Sequence, residues 1–161
     1  MRAFAPLVLA AAAFLASPAL AQDPAPGSPD PNMEILIQKI RADKKLLVAS
    51  NMELTDVEAK KFWPLYEAYQ KELDKINQRL GKTIREYADA FNEGPITNET
   101  ATKLMNEALS VQESEVKVRR TYAAKIGKVL SAAKTARYIQ IETKIRAVLN
   151  FELARQIPLV Y

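Results

Sequence analysis

The chain of 161 residues contains no cysteine and no histidine. Without cysteine there are no disulfides, no thiol chemistry and no acceptor for a lipid anchor behind a leader. Without histidine the usual general base, the Ser-His-Asp arrangement and imidazole metal ligands are gone. With both types missing, a structural zinc site lacks its ordinary donors. Only four glycines occur, at 27, 81, 94 and 127, too scattered for a glycine-rich phosphate loop. No stretch alternates apolar and polar residues as a strand does. Carboxylates are plentiful but poorly arranged for acid–base work: Glu113 and Glu115 fall on different helix faces, and Glu53, Asp56 and Glu58 gather at a helix start, where negative charge has a structural reason. These absences argue against an enzyme, and no cofactor and no metal is expected.

The longest apolar run, residues 3–16, is also too short and too interrupted by Pro6 to span a bilayer, which takes about 20 residues. It follows Arg2 and precedes Ser-Pro-Ala-Leu-Ala, with Ala19 and Ala21 in the small-x-small pattern of a cleavage site. Residues 1–21 are therefore expected to be a signal peptide cleaved after Ala21, which makes the protein periplasmic and limits membrane contact to the leader. Residues 22–32, with four prolines, read as an unfolded linker, and 33–157 as a single all-α domain. An exported domain without disulfides has to be held by packing.

Four helices are predicted. The first runs from about Met33 to Ser50, with Leu36, Ile37, Ile40, Leu47 and Val48 on one face. The second opens at Thr55, with Glu58 three residues on as a capping box. Phe62, Tyr66, Tyr69, Leu73, Ile76, Leu80, Ile84, Tyr87 and Phe91 follow at spacings of three and four. At 1.5 Å per residue this helix is roughly 55 Å long. Asn-Glu-Gly-Pro-Ile ends it and leaves room only for an antiparallel return. The third helix, capped by Thr97 or Asn98, repeats the spacing through Leu104, Val111, Val118, Tyr122 and Ile126, with Glu115 as a polar intruder. Folding about the turn lays Tyr122 near Tyr66. The fourth starts at Ser131 and runs to about Gln156. The fold class is all-α, a long antiparallel helical hairpin with flanking N- and C-terminal helices. Pro64 interrupts the second helix just after the only tryptophan. Trp63 and Pro64 are read as shape-setting, with packing offsetting the lost main-chain hydrogen bond.

Charge is unevenly spread. Residues 117–146 hold nine Lys and Arg against Glu142 alone. Such a stretch is either a solvated helix face or a surface that attracts acidic partners. Nucleic acid is not expected as the partner of an exported protein.

Leu54-Thr55-Asp-Val-Glu58 is echoed by Leu130-Ser131-Ala-Ala-Lys134, each opening a helix. With the leader and the hairpin between the copies, this combination resembles the Spy/CpxP-type LTXXQ family of bacterial periplasmic proteins, over roughly residues 34–155. The final Gln of that motif is Glu58 in one copy and Lys134 in the other, and Ser131 replaces the second Thr. The resemblance implies a helical cradle, usually a homodimer, that acts as an ATP-independent chaperone or envelope-stress accessory factor. On that reading Lys117, Arg119, Arg120, Lys128 and Arg137 bind unfolded or partner proteins. The alternative is a signalling or structural module that binds one specific envelope partner through a heptad face.

Overall fold

The structure, a computed structural model, describes residues 31–160; for residues 31–41 it describes the backbone alone. The expected leader and most of the linker lie outside the described residues. Four helices account for almost all of the rest: α1 (Pro31–Met52), α2 (Asp56–Glu93), α3 (Asn98–Ile126) and α4 (Ala132–Gln156). No strand occurs among the described residues, and the fold is all-α. The sequence pattern predicts one domain over 33–157. By compactness the chain divides inside α1, into one unit that ends at Leu47 and another that begins at Val48 and continues through the three following helices. The hairpin, its core and every side-chain contact described below belong to the second unit.

Helix ends fall where side chains and backbone geometry put them. α1 is described from Pro31 and runs past Ser50 to Met52. It stops because Glu53 adopts a left-handed φ of 46°, the usual way to end a helix although it more often falls to glycine. Thr55 caps α2 with a full capping box: its side chain accepts from the Glu58 N–H, and Glu58 accepts from the Thr55 N–H at 2.9 Å. Gly94, at φ 139°, makes the turn into α3 in a region that side chains rarely reach. Thr97, one of the two caps expected, accepts from the Thr100 N–H. Ser131 caps α4 by accepting from the Lys134 N–H.

α2 and α3 are antiparallel. The register is set by Tyr122 against Tyr69 (ring centroids 5.2 Å), Arg79 with Glu107 and Lys103 with Glu86. Tyr122 thus stacks on the tyrosine one turn beyond Tyr66, the neighbour predicted from the turn alone. α4 runs parallel to α2: Lys134 meets Glu58, Glu142 meets Gln70, Arg146 meets Asn77, and the Pro158 carbonyl meets Tyr87.

The core sits where the helix starts converge. Val48 and Met52 from α1, Phe62, Tyr66, Tyr69 and Leu73 from α2, Tyr122 and Ile126 from α3, then Leu130 and Tyr138 form one buried cluster. Leu47, predicted on the same face of α1 as Val48, stays 47% exposed. Tyr138 is fully buried, edge-on to Phe62 at 5.1 Å and close to Tyr66 and Tyr69. Each such aromatic pair contributes about 0.5–1.5 kcal/mol beyond its buried area. Trp63 flanks the cluster, edge-on to Phe62 and Tyr66. Towards the hairpin turn the same seam is thinner: Leu80, Ile84, Tyr87 and Phe91 are only partly buried.

α2 continues unbroken through Pro64, whose ring is exposed. Removing it loses no core contact and returns a hydrogen-bond donor to the Lys60 carbonyl. Proline costs about 3 kcal/mol relative to alanine in a helix interior, and its stiffening of the unfolded chain recovers up to about 1. Pro64→Ala is therefore expected to stabilise the protein by about 2 kcal/mol in urea denaturation.

Burial raises the pKa of three core tyrosines. Tyr69 is pushed up to about 12, first by burial and then by the charge of Glu142, with Arg119 pulling it partly back. Tyr66 and Tyr138 are raised further by the same two causes. An unfolded tyrosine ionises near 10, so above that pH the unfolded chain releases protons that the native chain keeps. Stability is unaffected by these groups below about pH 10 and falls as pH rises towards 12. Absorbance titration at 295 nm should show these tyrosines silent until that fall, with the urea midpoint lower at pH 11 than at pH 8.

Candidate functional site

The two copies of the repeated motif come into contact. Glu58 and Lys134, the closing residues of the two, form an ion pair at 2.6 Å. Lys134 Nζ also donates to the Glu53 carbonyl at 2.9 Å. Glu58 therefore has three tasks at once: it holds the Thr55 N–H, accepts from the Thr55 hydroxyl and pairs with Lys134. Lys134 could not close a capping box on its own helix, because an ammonium accepts nothing. A cation at a helix start is also poorly placed for that helix's own dipole. Its reach towards the end of α1, where the last carbonyls have no partner within the helix and the dipole is negative, resolves both problems. Arg137 goes the same way, towards the Asn51 carbonyl and, at 3.6 Å, the Glu53 carboxylate. Leu54 and Leu130, which open the two motifs, both pack into the shared core.

Glu115, the polar intruder in the α3 seam, is an interior junction. It pairs with Arg119 on its own helix and with Arg146 of α4 at 3.0 Å, and all three side chains are largely covered. Arg146 continues to the Asn77 amide oxygen on α2. One turn away Glu142, 4% exposed, accepts from the Tyr138 hydroxyl and the Gln70 amide, each at 3.0 Å. Two carboxylates thus tie α2, α3 and α4 together. Sequence reasoning missed this network. The available signal was Glu142 itself, the lone acid of the basic stretch, four residues after Tyr138 and so on the core side of α4.

The basic stretch is correspondingly less basic at the surface. Arg119, predicted to bind partners, is covered and committed to Glu115. Arg137 is exposed but ties down the end of α1. Lys117, Arg120 and Lys128 are exposed, Lys128 in the turn between α3 and α4. Lys117 and Arg120 share the outer face of α3 with Leu109 and Val116, where a shallow groove of about 670 Å³ also takes in Gln112 and Glu113. Leu109 and Val116 are 50% and 46% exposed there, two turns apart on one face. Trp63 and Pro64 lie away from this groove on α2. Among the described residues no three acidic side chains converge as a metal ion would require.

Compared with protein-family models, curated proteins and solved structures, the chain shows no significant match.

Hydrogen bonds from Lys134 and Thr55, with the Lys134 charge, hold the Glu58 carboxyl below its ordinary 4.5. A lowered carboxylate stabilises the native state fully above its unfolded pKa, and that stability is lost as pH falls through the native value. Acid unfolding should thus begin below about pH 4.5 and be shallower in Glu58→Gln. Glu58→Gln and Lys134→Gln should each lower the thermal midpoint, and the double variant, with glutamine at both positions, should lower it by less than the sum.

Proposed function

We propose that this chain is a divergent LTXXQ-type exported protein that holds partly unfolded proteins, without nucleotide, on the outer face of α3. The observation that carries the reading is the pairing of chemistries there. Lys117 and Arg120 are exposed beside Leu109 and Val116, which are exposed as well. Cations draw in a client with net negative charge over a range set by the Debye length, about 10 Å at 0.1 M salt. Aliphatic groups then hold its exposed apolar side chains over a shallow, open area. Nothing in such a contact depends on a defined partner shape. Release follows when the client buries its own apolar surface, so no energy source is required. A homodimer belongs to this reading, and Val148 and Phe151, 65% and 61% exposed on α4, offer a second copy an apolar face.

The test is suppression of aggregation of a chemically denatured acidic protein at near-stoichiometric amounts without ATP. Lys117→Glu with Arg120→Glu should require roughly tenfold more protein for the same suppression, and about 0.5 M salt should weaken the wild type. Indifference to denatured clients, together with capture of one stoichiometric envelope partner, would favour the single-partner module instead.

A further inference from the structure

A second concavity lies on a different part of the molecule. Near the hairpin turn, α2, α3 and the segment after α4 enclose a half-open cavity of about 340 Å³. Its walls are apolar except for two hydroxyl groups. Both have already given their protons to main-chain carbonyls: Thr83 Oγ1 donates to Arg79 at 3.0 Å, and Tyr87 Oη to Pro158 at 2.9 Å. The second bond ties the C-terminal segment across the hairpin and makes it a wall. Leu159 lines the cavity while 88% exposed, so the space opens to solvent along this segment.

The lining selects its guest. A peptide strand brings N–H and C=O groups that need partners once out of water, and this cavity presents no donor to meet them. A sugar or nucleotide fails for the same reason. Water is equally poorly served, since a buried water needs two to four polar partners. What remains is hydrocarbon. A cavity of about 150 Å³ holds benzene, so on that scale this one holds roughly a dozen carbons, more than one aliphatic side chain supplies. The open side leaves room for a polar head outside.

We propose that this cavity binds a single acyl chain of medium length. The chain lies between α2 and α3 under the C-terminal segment, and its polar head remains in solvent. The site is independent of the basic face of α3.

Calorimetric titration of the full chain with sodium dodecanoate below its micellar concentration, together with flotation on phosphatidylcholine vesicles, tests this. Dodecanoate should saturate near one per chain and raise the thermal midpoint. Ala108→Phe, which fills the cavity, should weaken binding by at least about tenfold. Met105→Glu puts a charge in the wall at a half-exposed helical position that tolerates it, and should do the same. Lys117→Glu with Arg120→Glu should leave dodecanoate binding unchanged, which separates this site from client holding. Binding of dodecanoate alone assigns a free acyl chain. Binding of both probes, lost in the same two variants, assigns a chain presented by a membrane. Heat that never saturates, or wild-type affinity in both cavity variants, would overturn the proposal.

Discussion

The contact between Glu58 and Lys134 organises the unit that begins at Val48. It joins the first turn of α2 to the first turn of α4, residues separated by the whole length of the hairpin. Because the same lysine reaches the Glu53 carbonyl, the end of α1 is fixed at that point too. Three helix ends thus share one cation. Such a pair contributes little by Coulomb attraction at a wet surface. Its value here is geometric: the carboxylate is already oriented by the Thr55 N–H and hydroxyl, so little side-chain freedom remains to be lost when the ammonium arrives. With the helix starts set, Leu54 and Leu130 have no choice but to enter the same core, and Tyr138 is carried in between Phe62, Tyr66 and Tyr69.

The interior carboxylates are a consequence of that placement. Once α4 lies parallel to α2, its core-facing positions include Glu142 and Arg146, which no apolar layer would accept alone. A buried charge without partners is severely costly. Glu142 is matched by Tyr138 and Gln70, and Arg146 by Glu115 and Asn77. Against well-packed aliphatic residues such pairs gain little stability, but they penalise any slip of α4 along the hairpin, since a slip would strand them. The aromatic cluster alone is more forgiving, because rings at neighbouring turns present similar surfaces. Register in this unit is therefore set by polar groups and stability by apolar ones.

Much of the architecture was legible because it rests on local chemistry. Spacings of three and four, the Thr55–Glu58 box, the Asn-Glu-Gly-Pro turn and Ser131 each act within a few residues, and α2, α3 and α4 begin and end close to where those signals stand. What was not legible depends on residues far apart in sequence. Glu58 and Lys134 look like two unrelated charges at two helix starts until α2 and α4 are side by side, and then each explains the other. Arg119 looks like one more surface cation until Glu115 turns inward to meet it. The left-handed Glu53 could not be anticipated either, since a glutamate carries no signal for that conformation and its carbonyl is held by a lysine 81 positions away. A count of charges along the chain therefore overstated the basic surface: the nine cations of residues 117–146 include Arg119, Lys134 and Arg146, all committed to carboxylates.

The division of labour along the hairpin accounts for where binding surfaces remain. At the converging helix starts three elements and the end of a fourth bury nearly every apolar position. Towards the turn, α2 and α3 have only each other and a short terminal segment, so positions of the same seam stay partly open. A helix that keeps an apolar seam to its end must either find cover or hold that surface ready for something else. Here the seam continues through Leu80, Ile84 and Tyr87 with incomplete cover, and Leu109 and Val116 form a second stripe on α3. Neither is needed to hold the fold together, because the aromatic cluster and the Glu58–Lys134 contact lie at the opposite end. Surface that the fold does not require is free to meet other molecules, and its two kinds, aliphatic cavity and cationic stripe, select for different chemistry in what they meet.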